Sequence, residues 1–345
     1  MNFKRFHRLY AEIEFDEIKV IGKDIEIDGR SYHILGMTLR EKKASLYVLE
    51  IVDLPEWEER DREKTPRESL KDNIEARKND SFFMHIKEFQ SQDKIYETDG
   101  ATSGPLRHND TYEAFLLFLR MHEAGWEIAK DSPFYDVDWD CLAVTNIELR
   151  DEFENLPEWT EDMQVLVDFL PEEYAVELPV LLECGKTVEL EFKLEDGSSA
   201  VCYINKIYTM DIWAEEEEKF SDSAYKERML QHMTEAEFEQ MKKQFFEVLA
   251  QQCPREKQYM VIEYECSKEV GLTFHDREYL DTIPKPSKGS ATSIWMSVRP
   301  DTETGAHGLK LRGCMIQKPL DKETKTLEAE LFSYSKAIQK RVEKI

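Results

Sequence analysis

Residues 188–208 read VELEFKLEDGSSAVCYINKIY, and this stretch decides the class of fold. Apolar and polar residues alternate before Asp196-Gly197, and a second β-prone run follows over residues 201–208. Alternation with a period of two is typical of a strand that buries one face. An Asp-Gly pair between two such runs predicts a tight type I′ hairpin. The stretch therefore indicates antiparallel sheet.

The same signal occurs near the start of the chain, where Ile25 and Ile27 precede Asp28-Gly29 and residues 32–35 follow. This second Asp-Gly pair predicts another hairpin. Apolar alternation or β-prone composition predicts further strands at residues 9–15, 46–52, 259–266, 294–298 and 309–316.

Two capping boxes predict helix starts. Thr65 is followed by Pro66 and Glu68, and Thr234 is followed by Glu237, so each threonine has an acidic side chain three residues later. The second of these helices is expected to end before Cys253-Pro254.

Three further segments complete the prediction. Residues 99–110 are rich in Gly, Ser and Pro and predict a loop, after which a helix over 110–127 should bury its apolar residues deeply. A last amphipathic helix is expected from about residue 322 to the end. Its apolar face would contain Leu327, Leu331, Tyr334, Ile338 and Val342.

Strands and helices do not alternate regularly along the chain, which favours an α+β fold with antiparallel sheets and segregated helices. A chain of 345 residues exceeds the usual size of one hydrophobic core. We therefore expect two domains: residues 1–150, opening with antiparallel strands, and residues 151–345, ending in the amphipathic helix.

Negative charge is concentrated in one segment. The chain has 72 acidic and 46 basic residues, and residues 131–218 alone hold 25 acids against 4 bases. Residues 284–345 have the opposite balance, with 12 bases and 7 acids. An acidic surface repels nucleic acid, whose phosphates need clustered Lys and Arg, and attracts a basic protein. The basic segment is expected to pair in part with the acidic body.

The sequence favours a soluble cytoplasmic protein. It has no apolar run near the roughly 18–20 residues that span a bilayer, so no membrane interaction is expected. Acidic residues interrupt any signal-peptide core after the basic start. The six cysteines contain no C-x-x-C pair, which is typical of reduced thiols.

Motifs for catalysis and cofactor binding are missing. The chain contains no G-x-S-x-G, no phosphate-binding glycine loop and no H-E-x-x-H. We therefore predict no catalytic residue and no cofactor, and favour a protein that is not an enzyme.

Two acidic groups are candidate sites. Asp136, Asp138 and Asp140 could present three carboxylates to a divalent cation, although the pattern favours a solvated strand with Val137 and Trp139 packed inward. Glu215, Glu216, Glu217 and Glu218 form a candidate contact patch for a partner, although acids at a helix start need no partner.

The combined prediction is a non-enzymatic binding or interaction protein with an acidic surface. Two alternatives stay open: an enzyme whose carboxylate site is assembled from distant strands, and an acidic inhibitor or immunity-type protein for a basic partner.

Overall fold

The computed structural model describes residues 14–52, 64–78, 80–91, 94–106, 111–160, 162–283 and 298–345. Within these ranges the chain forms fifteen strands and six α-helices, and every paired strand is antiparallel to its neighbour. This confirms the predicted α+β class.

The strands are β1 (Glu17–Ile27), β2 (Arg30–Arg40), β3 (Lys43–Ile51), β4 (Ile86–Ser91), β5 (Lys94–Pro105), β6 (Leu142–Glu152), β7 (Gln164–Val167), β8 (Glu172–Glu183), β9 (Val188–Lys193), β10 (Ser199–Met210), β11 (Lys257–Cys266), β12 (Gly271–Asp276), β13 (Arg312–Asp321), β14 (Thr326–Lys336) and β15 (Arg341–Lys344). The helices are α1 (Pro66–Arg77), α2 (Thr111–Glu123), α3 (Ile212–Ser221), α4 (Ser223–Met229), α5 (Glu235–Gln252) and α6 (Arg277–Asp281). Short 3₁₀ turns span Phe82–His85 and Trp139–Cys141.

The chain divides into two compact units, each built from separate stretches of sequence. Unit 1 contains Met1–Arg62, Lys78–Leu170 and Ile338–Ile345, and unit 2 contains Glu63–Arg77 and Pro171–Ala337. Division into two independent domains at residue 150 stays a prediction.

Unit 1 is built on an eight-stranded sheet in the order β1-β2-β3-β6-β5-β4-β7-β15. One face packs Ile34, Val48 and Ile147 against Phe82 and Phe83 of the first 3₁₀ turn. Residues of the opposite face pack against α2 and the segment after it, through a cluster that contains Leu35, Leu49, Leu142, Phe118 and Phe134. Alternate residues of one strand thus serve two cores, as the period-two geometry requires.

Unit 2 contains a four-stranded sheet, β13-β11-β10-β9, and a three-stranded sheet, β12-β14-β8. Both sheets contribute to one buried cluster, which includes Leu182, Ile204, Met260, Phe274 and Leu331. Helices α3 and α5 pack on β10 and β11 through Trp213, Leu249 and Val261. The predicted hairpin at Asp196-Gly197 joins β9 to β10.

Both Asp-Gly hairpins are confirmed, but the tight type I′ turn is found only at Asp28-Gly29; at Asp196-Gly197 five residues, 194–198, connect β9 to β10, and only the glycine of the pair has a positive φ. Asp28 and Gly29 have φ of 54° and 74°, the two positive values of a type I′ turn, and pairing continues directly to Ile27 and Arg30. Gly197 also has a positive φ, of 79°.

Both capping boxes are confirmed. At α5 the Thr234 hydroxyl accepts from the backbone N–H of Glu237, while the Glu237 carboxylate accepts from the backbone N–H of Thr234. At α1, Thr65 and Glu68 exchange the same two bonds. The chain leaves α5 before Cys253-Pro254, as expected.

The predicted C-terminal helix is wrong. Residues from Thr326 form β14, which pairs with β8 and β12, and Arg341–Lys344 form β15. Leu327 and Leu331 are four residues apart, a spacing that fits a helix face and also a strand face. A register shift after Leu331 lets Phe332, Ser333 and Tyr334 all become buried. Tertiary pairing on both edges therefore decides the structure.

The predicted loop over 99–110 is also wrong in its first half. Strand β5 continues to Pro105 and pairs with β6, from Thr98 opposite Leu149 to Pro105 opposite Ala143. This segment is a strand because it pairs with β6, a distant partner that its Gly- and Ser-rich composition does not indicate. The strand predicted at 9–15 lies mostly outside the described residues, and the strand predicted at 294–298 lies almost entirely outside them.

Candidate functional site

The first recess in unit 1 is an open cleft of about 690 Å³ lined by aromatic side chains. We call it the aromatic cleft and define it by Phe115, Phe118, Trp126, Tyr135 and Trp139. Helix α2 carries the two phenylalanines, and the segment from Trp126 to the second 3₁₀ turn supplies the other three rings.

Four of the five rings of the aromatic cleft contact one another around Phe118. Trp126 stacks on Phe118 with ring centroids 5.7 Å apart, and Trp139 meets Phe118 edge-on at 5.2 Å. Phe115 lies 6.3 Å from Trp139. Such contacts hold the rings in fixed orientations.

A buried histidine fixes Trp126. The indole N–H of Trp126 donates to Nε2 of His33 at 2.9 Å. Since that nitrogen accepts, Nδ1 carries the ring proton and donates to Asp24 at 2.6 Å. Asp24 and His33 face each other across β1 and β2, so the sheet positions one wall of the cleft.

The outer side of the cleft is exposed to solvent. Phe115 is 51% exposed, Tyr135 50% and Trp139 42%. The prediction that the apolar residues of this helix are all deeply buried is therefore wrong for Phe115, although Leu116 and Phe118 are buried. The α2 helix buries only the side that faces the sheet.

The three aspartates proposed as a metal site lie beside this cleft. Asp136 belongs to a turn, Asp138 precedes the second 3₁₀ turn and Asp140 lies within it, so the alternative of a strand is wrong. All three are exposed, and Trp139 does not pack inward. In the part of the chain that the structure describes, no group of three His, Cys, Asp or Glu side chains is arranged to hold a metal ion. The three carboxylates are thus not gathered around one point.

The chain segment that borders the cleft, which we call its rim, is strongly acidic. Residues 127–140 contain five acids and one Lys. Within the described ranges, neither Glu127 nor the acids at 131, 136, 138 and 140 form an ion pair with a Lys or Arg. Of these charged residues, Glu127 and Lys130 line the cleft itself, and the four aspartates lie on the segment from Trp126 to the second 3₁₀ turn, which carries three of the exposed or partly exposed rings.

The other candidate patch, Glu215 to Glu218, belongs to α3 in unit 2. Glu216 is paired with Lys219 at 2.8 Å, and Glu217 with Arg255 at 2.6 Å. The interpretation of this run as a helix start is confirmed, since Glu215 lies in the first turn after the Asp211 cap. Two of its four charges are already neutralised within the unit.

The acidic segment 131–218 is divided between the units. Residues 131–170 of unit 1 hold 12 acids and 1 base, and residues 171–218 of unit 2 hold 13 acids and 3 bases. The C-terminal bases neutralise some of them: Lys340 pairs with Asp168, and Lys322 pairs with Asp211.

The second recess in unit 1, the Glu50 cavity, has a volume of about 420 Å³. Its polar part contains Glu50, Ser81 and Ser103, and its apolar part contains Met84 and Leu170. Glu50 lies opposite Ala143 on β6, and Ser103 lies opposite Thr145 on the same strand, so three strands present these side chains on one face.

Hydroxyl groups surround the Glu50 carboxylate. Ser103 donates to Glu50 at 3.3 Å and Ser81 also donates to it, while Thr145 lies 3.1 Å from the Ser103 hydroxyl. Glu50 is 6% exposed. Burial raises the pKa of Glu50, and the two serine hydroxyls only partly offset that effect.

His85 lines the same cavity. Burial lowers the pKa of His85, although Asp80 lies 4.0 Å from its Nε2. The sequence does not predict this cavity, because Ser103 lies in the segment expected to be a loop.

The six cysteines are free thiols, and none of the helices in the described ranges has the length and apolar character needed to cross a membrane. Comparison of the chain with protein-family models, curated proteins and solved structures finds no match in any of the three.

Proposed function

We propose that this protein binds a basic protein partner, and that the aromatic cleft holds a Lys or Arg side chain of that partner. The observation that carries the proposal is the exposure of Phe115, Tyr135 and Trp139, two of which have the exposed Asp136, Asp138 and Asp140 as their neighbours in the chain. Charge distribution alone, which the sequence already shows, supports only a general attraction.

Aromatic faces and carboxylates together suit a cation with an alkyl stem. A Lys or Arg head group over an aromatic ring gains roughly 0.5–2 kcal/mol, with the larger value where water is excluded. The stem packs on the ring edges while the charge reaches the rim. The Trp126 wall, held by His33, needs no reorganisation on binding.

Electrostatic steering supports the same partner. Unpaired carboxylates at the rim raise the rate at which a basic partner is captured, and added salt reduces that rate. Binding of nucleic acid or of an anionic membrane surface is disfavoured by the same charge. With free thiols throughout, the proposed site of action is the cytoplasm.

The test uses a defined probe, a fluorescent peptide of alternating Lys and Leu, with a Ser-for-Lys peptide as its uncharged counterpart. Binding to the full chain is followed by anisotropy in 20 mM and 300 mM NaCl. We expect the basic peptide to bind, its affinity to fall in high salt, and the uncharged peptide to bind at least tenfold more weakly.

Variants then locate the binding. Phe115→Ala and Trp139→Ala should each lower the affinity for the basic peptide about 5- to 30-fold, the range that ~1–2 kcal/mol of cation–π interaction implies. Neutralising the rim with D136N/D138N/D140N should lower the affinity for the basic peptide at least tenfold. The matched control E215Q/E218Q/E227Q changes the net charge equally in unit 2 and should change affinity less than threefold.

Equal loss in the rim and control variants would mean that only overall charge matters, and would overturn the cleft as the site. Greater loss in the control variant would move the contact to α3. Unchanged binding by both aromatic variants would remove the cation–π part of the proposal.

A further inference from the structure

Four carboxylates in the described part of the chain are almost completely buried: Glu50, Glu265, Asp276 and Glu330. Three of them have strong partners. Glu330 binds Arg67, Asp276 binds Lys318 at 2.9 Å, and Glu265 accepts from several N–H groups. The hydrogen-bond partners of Glu50 are hydroxyl groups, and among the described residues it forms no direct ion pair, although the charge of Arg30 favours its ionised form.

A buried carboxylate without a counter-charge is unfavourable, and proteins usually pair such groups. Here the carboxylate faces a 420 Å³ cavity rather than a packed core. That volume lies at the lower end of the range for small-molecule sites, roughly 300–1,000 Å³. Three acids, Glu50, Asp80 and Asp168, line the cavity against one Lys, Lys87, so a cationic ligand can supply a positive charge in direct contact with Glu50.

The acceptors in the cavity fit one kind of cation. Glu50, Ser81 and Ser103 offer three acceptor oxygens close together, and a primary ammonium has three N–H donors. Met84, Pro105 and Leu170 form an apolar part of the lining, beside the polar side chains of Asp80, His85, Lys87 and Asp168, and Met84 and Leu170 are exposed. Such a wall suits a short alkyl chain.

We propose that the Glu50 cavity binds a small organic amine, with its ammonium group against Glu50, Ser81 and Ser103 and its alkyl part against Met84 and Leu170. This site is separate from the aromatic cleft and does not depend on the function proposed above.

Affinity for the amine should depend on pH in a defined direction. The pKa of Glu50 is raised by burial, so its ionised form, which binds the ammonium, is lost as pH falls at values where an ordinary glutamate is still charged. The other charged or titratable groups that face Glu50 or line the cavity are Arg30, Tyr32, Asp80, His85, Lys87 and Asp168. Protonation of His85 acts in the same direction, so a Glu50 variant is needed to separate the two groups.

The experiment titrates the full chain with n-butylammonium chloride and, as the uncharged probe of equal length, n-butanol, by isothermal titration calorimetry. We expect the amine to bind at least tenfold more tightly at pH 8 than n-butanol does, and to weaken between pH 8 and pH 5. Glu50→Gln should lower the affinity for the amine at least tenfold and reduce the change of that affinity with pH. Glu26→Gln, an exposed neutralisation in β1, should change neither.

Circular dichroism checks that Glu50→Gln is folded. If it is not, Ser103→Ala supplies the test, because it leaves the carboxylate in place and should weaken the amine about three- to tenfold. Equal affinity for n-butanol and the amine would overturn the proposal. So would full amine affinity in folded Glu50→Gln or in Ser103→Ala, or Glu50-dependent binding of Mg²⁺ or Ca²⁺ with no response to the amine.

Discussion

At the scale of single residues, Glu265 shows how a buried carboxylate is stabilised without a ligand. Its oxygens accept from the Asn205 amide at 2.6 Å and from the backbone N–H groups of His307 and Leu309 at 3.0 and 2.7 Å. Burial alone would raise the pKa of Glu265, but these donors bring it down to about 2. The carboxylate thereby ties the segment before β13 to β11.

Glu265→Gln should lower the free energy of unfolding at pH 7 by roughly 2–3 kcal/mol, because a charge-assisted hydrogen-bond network is lost. The folded-state pKa is depressed, so this stability is fully present above about pH 4.5 and is lost as pH falls toward 2. Urea unfolding at pH 7 and pH 3 measures the difference between wild type and variant, which should shrink at pH 3. The exposed Glu189→Gln serves as control; an equal effect there would contradict the assignment.

At the scale of elements, the hairpin of β1 and β2 depends on a close approach of two strands. Gly36 lies opposite Val20, next to a register shift in β1. A Cβ at Gly36 would overlap the carbonyl oxygen of Lys19 and lie 3.1 Å from Cα of Val20. Backbone atoms cannot move aside as flexible side-chain ends do.

Gly36→Ala should therefore destabilise the protein by at least about 2 kcal/mol. Gly100→Ala is the matched control, since no heavy atom lies within 4 Å of its added Cβ, and it should change stability by less than about 1 kcal/mol. Chemical denaturation with tryptophan fluorescence measures both. Similar stability of the two variants would show that β1 shifts freely at this point.

Elements also show what the sequence can predict. Signals carried by neighbouring residues, such as Asp28-Gly29 and Thr234 with Glu237, give correct hairpins and helix starts. The prediction is wrong for segments whose structure depends on distant partners. The segment predicted as a C-terminal helix contains β14, a strand that pairs with β8 and β12. The segment predicted as a loop belongs to β5, a strand that pairs with β6. The Glu50 cavity also depends on pairing between distant strands, so the local sequence does not predict which residues line it. For the aromatic cleft, the sequence marked the aspartates but not the exposed rings.

At the scale of the whole molecule, the net charge of −26 opposes the compact state. Most ion pairs of the described residues involve exposed side chains, which contribute little each and weaken in salt as well. Repulsion between the acidic side chains acts over longer distances than the ion pairs do. On addition of salt, the loss of this repulsion should therefore outweigh the weakening of the ion pairs.

Raising NaCl from 20 mM to 500 mM at pH 7.5 should therefore increase Tm by several degrees, as measured by differential scanning calorimetry. KCl at equal concentration should give the same shift if screening is responsible. A fall in Tm would show that the ion pairs outweigh the repulsion.

The last strand has a consequence for the order in which the molecule can form during synthesis. β15 pairs with β7 at the edge of the eight-stranded sheet, and Ile345, 2% exposed, packs in the core of unit 1. Residues that complete this sheet are therefore made after all of unit 2 has been translated. On the ribosome, unit 2 can be complete before unit 1, and the β7 edge stays open from its own synthesis until β15 is made, available to any other extended segment.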